Sequence, residues 1–286
     1  MYSNQRQTIY SVKDGIEKEY KLVLAYLLWS VICTYWGTWN ACSLYDFYGM
    51  DVSVADLLIA QQDAYRTGIM IFPVATFLVM KCKQNGLNIQ FILRYGSRRK
   101  MFLRQIMESL WYAAIAGTVL LGMEFLTAWT AKGTLINWAS MGSVFYAYTG
   151  ELSNASIITV IAGAFCMYVI KLAIIFMLID IFMWYPKNLV LLWVLLVLTV
   201  GVEKIADIPV FYFFFSIQHS TWLKPVTFID RILIGMCVLF AEYVVDTACI
   251  KKGIFLLLMG GDKRWQNYIS GFSGKGAGKN ISLWLF

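Results

Sequence analysis

A helix needs about 20 predominantly apolar residues to cross roughly 30 Å of hydrocarbon, and six stretches of this chain approach that requirement: 21–43, 56–80, 107–129, 155–183, 188–203 and 231–250. No other feature constrains the fold as strongly, because six such runs in 286 residues leave room for loops and none for a soluble domain. The longest stretches between and beyond them are 1–20, 81–106, 130–154, 204–230 and the tail 251–286, each too short to bury a core of its own. Composition agrees, with 14% of residues charged against about a quarter in a water-soluble domain. The reading is an all-α, polytopic membrane protein forming a single transmembrane domain over 1–286.

Two of the six runs are weaker than the rest. The apolar part of the second extends only over 67–80, so Gln61, Gln62 and Asp63 must lie among lipid headgroups or face protein. The fifth is short, and the fourth is long enough to tilt or kink. A further apolar stretch, 208–217 (IPVFYFFFSI), is too short to cross and contains Pro209, which predicts a re-entrant or interfacial segment. Residues 1–21 lack the apolar core and small-residue cleavage site of a signal peptide, so the first apolar run is expected to remain as a span.

Orientation follows from the basic residues, which are retained on the cytoplasmic side. With the N-terminus inside, 18 of the 24 Lys and Arg fall in inside segments, 5 in outside segments (Arg66, Lys132, Lys204, Lys224 and Arg231), and Lys171 alone within a span. That bias places both termini in the cytoplasm and requires an even number of crossings, which six satisfies.

The cytoplasmic segment 81–106 carries the densest pattern. Its sequence from Lys81 to Arg104, KCKQNGLNIQFILRYGSRRKMFLR, gives a basic exit from the membrane, a polar turn, an apolar patch at Ile89, Phe91, Ile92 and Leu93, and then the basic break Arg94, Tyr95, Gly96, Ser97, Arg98, Arg99, Lys100. This reads as a short surface helix, a glycine-permitted reversal and a second amphipathic entry helix that Ser97 can cap. Positive-inside anchoring on anionic lipid explains the charge, whereas a Tyr-Gly-Ser turn flanked by apolar residues fits a knob for a protein partner. Upstream, Ile9, Val12, Ile16 and Tyr20 recur at helical spacing with Lys13, Asp14, Glu17, Lys18 and Lys21 on the other positions, which predicts an amphipathic helix over 5–20 on the cytoplasmic face.

An interfacial N-terminal helix, six spans with both ends inside, and the turn from Arg94 to Lys100 between spans two and three resemble the permease subunits of type-2-class ABC exporters, particularly small bacterial peptide or bacteriocin export and immunity permeases. The likeness is architectural over most of the chain and extends to a motif only over about residues 89–105. It implies that Arg94, Tyr95, Gly96, Ser97, Arg98, Arg99, Lys100 and Arg104 form a coupling helix docked on an ATPase subunit. It also implies a bacterial plasma membrane, two ATP-binding-cassette subunits carrying ATP and Mg, a second permease copy or a sister permease, and no cofactor or catalysis on this chain. A Phe-Phe-Phe run at 213–215 is not a diagnostic motif of that family.

Ionisable residues at membrane depth are costly and face protein or water. Lys171 and Asp180 lie on the fourth run, Glu124 on the third, and Glu242 and Asp246 four residues apart on the sixth. By depth, Glu242 is the carboxylate expected to meet Lys171. These groups form either an interhelical ion pair or part of a substrate path, and in the latter case an ion-coupled secondary transporter is the alternative function. Other chemistries fall away. The tail segment Gly274 to Asn280 mimics a phosphate-binding loop, but Ser273 stands where its first glycine belongs and Asn280 where Ser or Thr should hold Mg. Six cysteines without a C-x-x-C pair and one histidine, His219, offer no zinc site, and His219 is expected to contact lipid headgroups. A net charge of +7 is too small in so apolar a chain to point to nucleic acid.

The orientation is checked by placing a cysteine at Ser97 in a background lacking the native cysteines. A membrane-impermeant thiol reagent is expected to label it in inside-out vesicles and not in intact cells.

Overall fold

The structure, a computed structural model, describes residue 10 and residues 12–84, 98–183, 189–206, 211–212, 214–223 and 225–251. Within these residues it is helical, and an isolated bridge between Asp51 and Ser143 stands in place of any sheet. The helices are α1 (12–18), α2 (Tyr20–Phe47), α3 (Val54–Gln61), α4 (Phe72–Gln84), α5 (Arg98–Lys132), α6 (Val144–Thr149), α7 (Ile157–Met183), α8 (Leu189–Ile205) and α9 (Pro225–Lys251), with a π turn at Arg66–Ile71 leading into α4. Tyr20–Phe47, Leu103–Lys132 and Ile157–Asp180 are long and apolar enough to cross a membrane. Val54–Gln61 with Arg66–Lys83, bent by 61°, make a fourth if they act as one span. α8, 17 residues long and so about 25 Å, and α9 occupy the positions of the fifth and sixth expected runs.

The second run is not the continuous helix that its length predicts. α3 starts at Ser53, whose backbone N–H and hydroxyl both donate to the Asp56 carboxylate at 2.9 and 2.6 Å, and ends at Gln62. After the break the Asp63 carboxylate accepts from Tyr65 N at 3.0 Å, and the chain resumes through the π turn. The polar residues at the break face protein. Gln61 Nε2 donates to Thr34 O (2.9 Å) and Thr38 Oγ1 (2.6 Å) on α2, and Gln62 Oε1 accepts from Ile217 N at 3.0 Å. The entry to the third run also differs from expectation, since α5 runs unbroken from Arg98 through the whole crossing.

α7 is the central post. Val160, Ala164, Met167, Tyr168, Leu172, Ala173, Ile175, Phe176 and Ile179 are all buried, and α5 packs along it where Gly117 brings the two backbones close to Tyr168 and Val169. Of the amphipathic helix expected over 5–20, residues 12–18 are helical with one face buried, residues 5–9 and 11 lie outside the described residues, and Tyr20, expected on the apolar face, is exposed at the start of α2. Lys13, Asp14, Glu17 and Lys18 are exposed and pair at 3.5 and 2.7 Å, while Val12 is buried. Gly15 lies so close to Tyr112 of α5 and Cys82 of α4 that a β-carbon there would stand 2.6 Å from the tyrosine hydroxyl.

Below that contact, Lys83 Nζ donates to Asp180 Oδ1 at 2.6 Å, and Ser109 Oγ donates to Asp180 Oδ2 at 2.5 Å and is itself bonded by Lys83. Lys83 was counted among the cytoplasmic loop charges, and the structure buries it, because its position on α4 turns it inward toward α5 and α7. The opposite end is closed by segment 134–150. Val54 N donates to Thr134 O and Ala55 N to Leu135 O (2.9 and 3.1 Å), while Trp138 packs stacked on Phe145 with centroids 4.4 Å apart.

Removing one partner of a buried ion pair strands the other, at about 3–5 kcal/mol. Asp180→Leu is therefore expected to lower the melting temperature of the purified chain sharply, and Lys83→Met/Asp180→Leu to recover most of the loss. Thermal unfolding in detergent reads the difference.

Candidate functional site

Of the residues expected to couple to a partner, Arg94, Tyr95, Gly96 and Ser97 lie outside the described residues. Arg98, Arg99 and Lys100 form the first turn of α5. Arg104 is largely buried and donates to Glu108 one turn on, at 2.7 Å. Asp246 lies on α9, and Glu242 on the same helix is half-buried.

The intramembrane charges converge where four elements meet. Glu124 on α5 and Lys171 on α7 are both completely buried. Tyr168, one turn before Lys171, donates its hydroxyl to Glu124 Oε1 at 2.6 Å. The Lys171 ammonium lies 4.8 Å from the centroid of the Tyr168 ring and 5.8 Å from that of Phe72, a cation held by aromatic faces. It makes no hydrogen bond among the described residues. The carboxylates whose field acts on it are Glu124 and Glu203 of α8, in place of the expected Glu242. Similar depth on two helices does not make their side chains face each other.

Arg66 extends the row on the far side of Glu124. It was read as an exterior loop charge, but the π turn points it inward, where it is 8% exposed and bonded through Nη1 to Gln61 Oε1. Its guanidinium occupies the space a β-carbon would take at Gly37 of α2, so only glycine permits this approach. π turns inside helices frequently mark functional sites. Glu203 closes the row, with its two carboxylate oxygens accepting from the backbone N–H groups of Phe211 and Tyr212. Arg66, Glu124, Lys171 and Glu203 thus alternate in sign across four elements. Tyr212, fully buried, packs with its ring 5.8 Å from Phe72, and Phe215, Ser216 and Ile217 beyond it are buried in the protein interior as well.

A second buried cluster lies under the 134–150 cap. Asp56 Oδ1 accepts from Trp138 Nε1 at 2.8 Å and lies 3.0 Å from His219 Nε2. The His219 ring stacks parallel to Tyr148 at 5.2 Å. His219 is therefore a buried tie between the turn before α9 and α3, and makes no headgroup contact. Among the described residues no group of three or more His, Cys, Asp or Glu is placed to hold a metal ion.

Sequence reasoning singled out Glu124 and Lys171 but missed Arg66, Glu203 and Asp56. Arg66 counts with the exterior segments, Asp56 and Glu203 stand at the ends of expected runs with no local pattern to mark them, and only Gln61, Gln62 and Asp63, which had to face protein or headgroups, signalled polar packing there. No protein family, curated protein or solved structure matches this chain.

Gly37→Ala forces a β-carbon against the Arg66 guanidinium and is expected to cost about 1–3 kcal/mol, the usual penalty of overpacking. In an Arg66→Met background, whose flexible side chain can give way, the same substitution is expected to cost much less. Melting temperatures of the four proteins check this.

Proposed function

We propose that the chain is the membrane-spanning permease subunit of an ATP-driven exporter of a peptide or other amphipathic substrate. In this reading α2, the bent α3–α4 pair, α5, α7, α8 and α9 make six crossings of the cell membrane with both termini inside, and the 208–217 stretch is re-entrant or interfacial. Two ATPase subunits hold the 81–106 coupling segments of two permease copies, or of this chain and a sister permease, and all ATP and Mg chemistry takes place on those subunits.

The observation that carries the reading is the Lys83–Asp180–Ser109 cluster at the foot of the bundle. Residues 85–97 connect α4 to α5, and these two helices are bonded beside that connection to each other and to α7. A partner that pulls on that connection therefore moves three helices together instead of bending one. α1 strengthens the same foot by seating Gly15 against Cys82 and Tyr112. Closure of ATP-loaded partners would draw the coupling segments together and rock the bundle, a population shift that depends on different contacts in the two states. The buried row of charges favours a second reading, an ion-coupled carrier that works without an ATPase.

Purification of the tagged chain from its own host membranes is expected to bring an ATPase with it. Arg98→Glu with Arg99→Glu replaces attraction by like-charge repulsion, costing several kcal/mol, so recovery of the ATPase should fall by about tenfold or more. Unchanged recovery contradicts the exporter reading. Substrate movement by the purified chain alone, driven by an ion gradient, supports the carrier instead.

A further inference from the structure

We propose that Glu124 is a proton-binding site within the bundle, and that Lys171 shifts between Glu124 on α5 and Glu203 on α8 as that proton leaves and arrives. The inference goes beyond the exporter reading and holds whichever motor moves the bundle.

Several buried polar atoms in and around this row lack a hydrogen bond among the described residues, Tyr26 Oη, Arg66 Nε and Tyr212 Oη among them, and two of them belong to a pair of opposite charges. Lys171 Nζ and Glu124 Oε2 are buried and make no hydrogen bond among the described residues. Buried polar atoms are almost always bonded, and a buried charge without direct contacts is costly. Contrast Asp180, a carboxylate equally deep in protein, whose two oxygens are taken by Lys83 and Ser109. Lys171 instead hangs over the Tyr168 and Phe72 rings, a weaker hold than a bonded ion pair and one that leaves it free to move.

The groups around Glu124 set what a proton would do. Tyr168 fixes one carboxylate oxygen. Tyr26 comes from α2, Arg66 from the π turn and Lys171 from α7. With every group ionised, Arg66, Glu124, Lys171 and Glu203 sum to zero. A proton taken up from water forms an O–H bond on Glu124 Oε2 and displaces nothing. It leaves Glu124 neutral, still accepting from Tyr168, and the row with one surplus positive charge. Among the described residues, Glu203 is then the charged carboxylate left to act on Lys171.

Glu203 is not a passive counter-charge, because it holds the backbone of Phe211 and Tyr212. A shift of Lys171 toward it reaches α8 and the backbone at Phe211 and Tyr212. Proton occupancy on α5 is thereby coupled to the packing of α8 against α7, with the proton itself as the ligand.

Infrared difference spectra of the full-length chain in lipid nanodiscs, taken as pH is lowered, test the proton site. A protonated-carboxyl C=O band is expected to grow on acidification, to be missing from Glu124→Gln, and to change frequency in Tyr168→Phe, which removes the bonded hydroxyl. In Lys171→Met the same band is expected to titrate about one pH unit or more higher, a tenfold tighter hold on the proton, because a cation that stabilises the carboxylate is gone. Solid-state NMR with labelled lysine and glutamate tests the movement: a contact between Lys171 Nζ and the Glu203 carboxyl carbon should be strong at low pH and weak at high pH. A band that survives in Glu124→Gln, the lack of any titrating carboxyl band in the wild type, or a midpoint unmoved in Lys171→Met overturns the proton site. A pH-invariant lysine contact overturns the shift. Should Glu124→Gln fail to fold, the Tyr168→Phe frequency and the Lys171→Met midpoint decide the question.

Discussion

A charged side chain inside a bilayer must find its counterpart within the protein, and that requirement fixes where the helices of this chain meet. Apolar faces alone do not set the register between two membrane helices, since lipid tails satisfy leucine as well as another leucine does. The polar groups do. Lys83, Ser109 and Asp180 tie α4, α5 and α7 at one end; Asp56, Trp138 and His219 tie α3, the 134–150 cap and the turn before α9 at the other. α7 takes its place as the central post because it supplies Asp180 to one cluster and Lys171 and Tyr168 to the row between them.

The clusters differ in how completely they are bonded, and the difference bears on mechanics. At both ends the carboxylates are saturated by donors at ordinary hydrogen-bond lengths, which makes those regions rigid. In the middle, four charges of alternating sign share few direct bonds, and the helix that brings Arg66 is broken and contains a π turn. A bundle held firmly at its ends and loosely at its centre can change its packing in the middle without coming apart. The transport proposed for this chain requires such a property, whether the driving force comes from an ATPase below or from an ion within.

Much of this was legible in the residues. Apolar run lengths located the long helices, three-and-four spacing found α1, and charge at membrane depth drew attention to Lys171 and Glu124. The rest was hidden for specific reasons. Counting basic residues assigns Lys83 and Arg66 to loops, because a count does not know which side of a helix a residue faces. The break after Gln61 depends on side chains reaching Thr34, Thr38 and Ile217, none of which is a local signal. His219 looked solitary because its partner Asp56 is 163 positions away. Matching Lys171 with Glu242 used depth alone, and the answer depended on azimuth.

On the proposed exporter reading, motion enters at the foot of the bundle and passes through the Lys83–Asp180–Ser109 cluster to the rest of it. The most direct measurement is the distance between spin labels at Phe47 and Ile205, both well exposed, in the proposed complex with an ATPase, with and without bound ATP. The account predicts a distance distribution that shifts on ATP binding in the wild type and stays fixed in Asp180→Asn. A distribution indifferent to ATP in the wild type, or a shift that survives intact in Asp180→Asn, would contradict it.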